Sequence, residues 1–179
     1  LFSATMPQQI VTLAKRYQQD ALRIATAGDK RGHGDIAFQA VTVSPAEIEA
    51  ATINLLRYHE AETAILFCAT RDSVRRLHAT LQERGFGVVA LSGEHSQSER
   101  NQALQALRDR RARVCVATDV ASRGIDLPSV SLVIHVEIPR DAETLQHRSG
   151  RTGRAGEAGL AVSFITSTGP VTLTVPLIL

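Results

Sequence analysis

The amino-acid sequence predicts an α/β protein built on a parallel sheet with helices on both faces. Two observations carry this expectation: the apolar runs are short and unbroken, and the segments between them have the period of amphipathic helices. Strands buried on both faces need no polar alternation, and the helices between them supply the crossovers that parallel pairing requires. Ligands of such sheets bind beyond the carboxyl ends of the strands, so the loops that follow strands are where function is sought.

Ile10, Leu13 and Tyr17 recur at i, i+3 and i+7 after Pro7, whose fixed φ suits a first helical turn. Lys30-Arg31-Gly32-His33-Gly34-Asp35 is polar and twice punctuated by glycine, and is expected to be a linker. Ile36 to Val43 reads as a strand. Ser44-Pro45-Ala46-Glu47 then offers an N-cap, a Pro at N1 and a Glu at N3 for a helix carrying Ile48, Ala51 and Leu55. Strand Ala64 to Cys68 precedes a helix with Val74, Leu77 and Leu81 on one face, stopped near Gly85. Strand Val88 to Leu91 leads through a loop to a helix capped by Ser96 and Glu99 and lined by Ala103, Leu104 and Leu107. Strands Val114 to Ala117 and Leu132 to Val136, a short helix from Ala142 to His147 and strand Leu160 to Ile165 complete the alternation.

Length and composition bound the function. At 179 residues the chain is one domain or a large piece of something longer, and its start at Leu1 without a methionine leads us to expect a fragment. With 44% hydrophobic and 21% charged residues, disorder and collagen-like repetition are excluded. Basic and acidic residues nearly cancel, 20 against 18, and they balance in both halves of the chain, so no basic tail exists for bulk attraction of nucleic acid. Of the basic residues only Lys15 and Lys30 are lysine; the other 18 are arginine. Codon usage of a GC-rich genome accounts for most of that excess, while the planar fork of arginine makes some of them candidates for binding phosphate. Cys68 and Cys115 lie in apolar runs and are expected to be buried hydrophobes, with no disulfide framework and no metal site, as suits a cytoplasmic protein. A signal peptide and a run of 18 apolar residues are both lacking, which speaks against secretion and against spanning or binding a membrane.

Four loops hold candidate chemistry. Cys68-Ala69-Thr70-Arg71 places a Thr and an Arg at a strand end ahead of a helix N-terminus, a phosphate-contacting corner; the alternative is a cap by Thr70 or Asp72 and a solvent-facing Arg71. In Ser92 to Arg100, Gly93 permits close backbone approach, and Gln97 and Arg100 share a helical face that could hold a sugar-phosphate backbone; capping and an exposed polar first turn would explain the same residues. Ala117 to Asp126 is denser in function than a turn needs, with Thr118 able to donate to phosphate and Asp126 to accept from ribose hydroxyls, although its Asp residues could merely cap and turn the chain. His147 to Gly156 has glycine every third residue, which argues against a helix interior, and it sets Arg151 and Arg154 behind glycines where two guanidinium groups can converge on a transferred phosphoryl group. A disordered Arg-Gly tract is disfavoured because the apolar strand Leu160 to Ile165 follows at once.

Taken together, these motifs resemble the carboxyl-terminal RecA-like lobe of DEAD-box ATP-dependent RNA helicases, and a bacterial member is expected. Leu1-Phe2-Ser3-Ala4-Thr5-Met6-Pro7 resembles the family's motif III, Phe67 to Arg71 its motif IV, Ala117 to Asp126 its motif V and His147 to Gly156 its motif VI. The resemblance implies a RecA-like parallel sheet over residues 36–166, preceded by the end of the motif III region and an interdomain linker at 1–35 and followed by an atypical apolar tail at 167–179. It implies Arg151 and Arg154 as arginine fingers on the ATP γ-phosphate, Gly124 and Asp126 at the nucleotide, and His147 coupling the lobes through Ser3 and Thr5. Arg71, Gly93, Gln97, Arg100 and Thr118 would contact RNA sugar and phosphate, giving salt-sensitive binding with little sequence preference. Mg2+ would be held mainly by the amino-terminal lobe, which would also carry the Walker A loop and the Asp-Glu-Ala-Asp sequence, so the polypeptide alone is expected neither to hydrolyse ATP nor to unwind RNA. Ser92 departs from the family pattern, where His is usual, and no charged residue follows Glu157. The competing class is a non-catalytic RNA-binding or scaffold module with an inherited RecA-like fold, against which Asp126, Arg151 and Arg154 speak.

Overall fold

A computed structural model describes residues 8–17, 35–122, 127, 130–154 and 156–166. The chain divides into two units, Leu1–Lys30 and Arg31–Leu179. In the first, α1 (Gln8–Tyr17) forms where the 3.6-residue period predicts it, with Leu13 and Tyr17 exposed.

The second unit holds the sheet. Its elements are β1 (Ile36–Val43), α2 (Ile48–His59), β2 (Ala64–Phe67), α3 (Arg71–Glu83), β3 (Val88–Leu91), α4 (Gln97–Arg108), β4 (Val114–Ala117), β5 (Leu132–His135), α5 (Ala142–Ser149) and β6 (Gly159–Thr166). All pairings are parallel and the strand order is β1-β6-β5-β2-β4-β3. Every residue of β2, β4 and β5 is buried, which is why these strands read as unbroken apolar runs. Alternate residues feed two cores. Leu66, Val116, Ile134 and Val162 meet Ile53, Leu56, Val74, Leu77 and Leu81 of α2 and α3. Ile65, Cys115, Val133 and Ala161 meet Ala106 and Leu107 of α4 together with Ala121, Leu127 and Val130. Cys68 and Cys115 are fully buried, and burial pushes both thiols up to about 12, so they are inert packing groups.

Strands β2 and β5 end one residue earlier than the sequence reading, β6 extends one residue further at each end, and two helical elements differ more. Ser44 does accept a hydrogen bond, from Ala46 N–H at 3.3 Å, but Pro45–Glu47 close a 3-10 turn, and α2 starts only at Ile48 without a side-chain cap. The Glu47 N–H donates to the Ser44 carbonyl at 2.9 Å, the i to i+3 bond that defines the tighter turn. Helix α5 runs two residues past His147, because Leu145, Arg148 and Ser149 all face the interior and Gly150 ends the helix only after them. Among the described residues no helix is long and apolar enough to cross a membrane.

Candidate functional site

The carboxyl ends of β2, β3 and β4 bring three of the predicted loops to one edge. Thr70 caps α3, its Oγ1 accepting from Ser73 N–H at 3.1 Å, and Arg71 begins the helix exposed. The Arg71 guanidinium lies beside Gly93: a Cβ there would sit 3.6 Å from Nη2. The loop carrying Gly93 is pinned by the imidazole of His95, whose Nδ1 accepts from Ser92 N–H at 3.0 Å. Ser96 and Glu99 form a complete capping box at the start of α4, and their hydrogen bonds hold the Glu99 carboxyl below the ordinary carboxylate range. Gln97 and Arg100 follow one turn apart; Gln97 Nε2 donates to Asn101 Oδ1 at 2.9 Å, and Arg100 is half-exposed. Thr118 leaves β4 with its amide on the Leu91 carbonyl at 3.2 Å and only 9% of the residue open to solvent, so little of its hydroxyl faces outward. Arg71, Gly93, Gln97, Arg100 and Thr118 are thus grouped along the exits of neighbouring strands, and Thr70 and Ser96 cap the helices that present Arg71, Gln97 and Arg100.

Behind this edge lies a buried polar cluster that sequence reasoning missed. Arg148 is 3% exposed, and its fork grips Asp119 through Nε–Oδ1 at 2.5 Å and Nη2–Oδ2 at 2.7 Å, while Nη1 donates to the Glu137 carbonyl at 2.7 Å. Its guanidinium also stands 5.2 Å above the Phe67 ring. The Glu137 side chain turns the other way, accepting from Ser73 Oγ at 2.9 Å and from Ala69 N–H. Beside them, His135 is wholly buried with Nε2 3.1 Å from Ser149 Oγ. The only available signal was spacing: Arg148 stands three residues after Leu145 and one before Ser149, on the inward face of α5.

The segment carrying the proposed fingers lies elsewhere. It does not follow a strand; it precedes β6 and packs on the amino ends of the sheet, which corrects the expectation that the functional loops all follow strands. Thr152 Oγ1 donates to the carbonyl of Val130, two residues before β5, at 2.5 Å, and Gly159 N–H, opening β6, donates to the Asp35 carbonyl at 2.8 Å. Gly153 has φ +63° and fits tightly against Ile36 and Asp35, a place and a conformation that suit glycine alone. Arg151 is half-buried; burial, and next the charge of Arg154, lower its pKa, so the two guanidinium groups are close enough to repel. Arg154 Nε donates to the Gly150 carbonyl at 2.7 Å. His147 is exposed on α5. Gly124 and Asp126, and Ser3 and Thr5, lie outside the described residues. No group of three His, Cys, Asp or Glu able to hold a metal ion occurs among the described residues.

The six-stranded parallel sheet covered by helices on both faces defines a RecA-like α/β lobe. Residues 47–156 match the family described as "Helicase conserved C-terminal domain". The chain is 38% identical over 94% of its length to ATP-dependent RNA helicase dbp3 of Aspergillus terreus, covering 35% of that protein, and 40% identical over 93% to DEAD-box ATP-dependent RNA helicase 21 of Oryza sativa, covering 23%. It thus spans about a third or less of the curated relatives it matches. Among solved structures, E. coli DEAD-box protein SrmB bound to RraA is 40% identical with TM-score 0.68, over 72% of this chain and 76% of that one. S. cerevisiae Dbp5 bound to RNA and ADP BeF3 is 29% identical with TM-score 0.80, over 92% of this chain and 44% of that one. The chain belongs to the DEAD-box helicase family and carries its conserved carboxyl-terminal domain.

Proposed function

We propose that this chain is the carboxyl-terminal lobe of an RNA helicase that couples ATP binding and hydrolysis to local unpairing of RNA duplexes. The observation that carries the reading is the Arg151/Arg154 pair. Arg151 immediately precedes Thr152, which fastens to Val130, and Arg154 lies between that anchor and Gly159, which fastens to Asp35; the charge of Arg154 bears on Arg151. Two guanidinium forks on one such segment suit a phosphoryl group, whose charge they would share.

In this reading an amino-terminal lobe of the same protein binds ATP and Mg2+, and closure of the two lobes brings Arg151 and Arg154 to the γ-phosphate and Gly124 and Asp126 to the nucleotide, with His147 coupling the lobes. Closure also completes the RNA cleft, to which this lobe contributes Arg71, Gly93, Gln97, Arg100 and Thr118. The reading is supported by S. cerevisiae Dbp5, a similar protein whose structure is bound to RNA and ADP BeF3. Residues 1–35 serve as the end of motif III and the linker, 36–166 as the lobe and 167–179 as a tail, and the protein works in the cytoplasm. The polypeptide by itself is inactive.

The test is Arg151→Ala in the full-length protein. We expect ATP hydrolysis to fall by about a thousandfold or more while RNA binding is retained, since arginine fingers act on the transition state. Unchanged turnover removes Arg151 from that role.

A further inference from the structure

We propose that Glu94 is a displaceable stand-in for an RNA phosphate on Arg71, and that it sets how tightly the edge formed by the β2 and β3 exits takes the RNA backbone. The inference rests on the reading of Arg71 as an RNA contact. Glu94 follows Gly93, the residue whose missing side chain leaves the Arg71 guanidinium uncovered. Its Oε1 lies 3.3 Å from Arg71 Nη1 and its Oε2 lies 3.4 Å from Arg75 Nη2, so one carboxylate bridges two arginines.

A carboxylate and a phosphate present the same pair of oxygens to a guanidinium fork. An RNA phosphate that takes Arg71 must therefore push Glu94 aside. Exposure decides whether it can. The Arg71 and Glu94 side chains are 59% and 49% exposed, which puts the pair among those that are weak and salt-screened, whereas Arg148 in its pair with Asp119 is 3% exposed and not open to competition. Displacement also leaves Glu94 with somewhere to go. Arg75 is within its reach, and Arg75 is itself oriented by Asp72 at 3.2 Å. Glu94 thus shifts between a shared position over both arginines when RNA is absent and Arg75 alone when RNA is bound. The cost is a lower affinity; the return is that Arg71 is neutralised in the RNA-free protein, so a chain of near-zero net charge does not collect polyanions at random.

The experiment is a double-mutant cycle in the full-length protein, with binding to single-stranded RNA measured across a salt series. Glu94→Gln should tighten binding by about two- to fivefold at low salt, the range an exposed ion pair allows. Its salt dependence should also be steeper, because no freed carboxylate then recruits a cation. Arg71→Ala should weaken binding, and in that background Glu94→Gln should give almost no gain, an interaction that a purely structural role for Glu94 does not produce. Weaker or unchanged binding by Glu94→Gln, with Arg71→Ala still weakening it, overturns the proposal and leaves the RNA reading standing. If Arg71→Ala too has no effect, this edge is not an RNA contact and both readings fall.

Discussion

His135 makes the stability of this lobe depend on pH in a way its buried surroundings dictate. Ser149 Oγ donates its one hydrogen to the Leu145 carbonyl at 2.8 Å, so at 3.1 Å it can only accept from His135 Nε2–H. The imidazole is then neutral with its proton on Nε2, and Nδ1 has no hydrogen-bond partner among the described residues. Protonating Nδ1 would bury an unpaired N–H and a charge. Burial, then the positive charge of Arg148, lower the His135 pKa from 6.5 to about 3, against a smaller opposing pull from Asp119. Between those two values the unfolded chain binds a proton that the folded chain refuses, so stability is lost as pH falls through that window, by about 1.4 kcal/mol per pH unit and about 2 kcal/mol by about pH 5. Urea unfolding of the chain and of its His135→Leu variant at about pH 7.5 and about pH 5 measures this directly. The other five histidines of the sequence are common to both chains and cancel. The wild type should lose about 2 kcal/mol more than the variant between the two pH values. Equal losses, or an NMR titration of His135 with a midpoint near that of a free imidazole, would refute the reasoning.

Arg148→Ala removes the buried member of an ion pair whose Asp119 partner is 39% exposed, so the penalty is reduced from that of a fully buried pair to about 2–3 kcal/mol of unfolding free energy, read from the urea midpoint. Arg148→Lys should recover less than half of the loss, because an ammonium cannot span both Asp119 oxygens and the Glu137 carbonyl. Gly159→Ala would drive a Cβ into Thr152 Oγ1 and the Gly153 amide; we expect a destabilisation of about 1–3 kcal/mol by thermal melting and, in the full-length protein, a loss of ATP turnover larger than that of RNA affinity. Arg100→Ala should weaken RNA binding equally for unrelated sequences and make the salt slope shallower by about 0.7, one phosphate contact on a single strand. A sequence-dependent loss in that titration would assign Arg100 to base contacts instead.

What could be read from the sequence was what local chemistry determines. Val88–Leu91 and Val114–Ala117 were legible to the residue because charged or glycine-rich segments bound each apolar run, and Ile36–Val43 because Asp35 and Ser44-Pro45 do the same. The Ser96/Glu99 box was legible because its two partners lie three residues apart. Strand order was not legible: β1 pairs with β6, the last strand of the chain, in a register that depends on contacts more than a hundred residues apart in sequence. The loops that hold Arg71, Gly93, Gln97, Arg100 and Thr118 could be singled out by motif, yet Glu94 on Arg71, Arg148 on Asp119 and Glu137 on Ser73 could not. These three pairs span 23, 29 and 64 residues of chain, and nothing at either residue alone marks its partner.

Arg148 explains how the two ends of the sheet can act as one device. Asp119 stands next to Thr118, at the exit of β4; Arg148 stands three residues before Arg151. Between them lies a two-point hydrogen-bonded pair whose arginine is buried and whose Asp119 is partly exposed, backed by Phe67 from the central strand β2. The backbone continues the link, since the Arg151 amide donates to the Arg148 carbonyl at 3.1 Å and Thr152 then fastens to Val130. In the proposed mechanism a movement of the β4 exit would therefore be carried to Arg148, whose own carbonyl holds the Arg151 amide. Lysine could stand at Arg71 or Arg100 at modest cost, since a single charge suffices for an exposed phosphate contact, but not at Arg148, where three donors in one plane are all used. The arginine that most requires the fork is thus a residue that touches neither RNA nor ATP in the proposed mechanism.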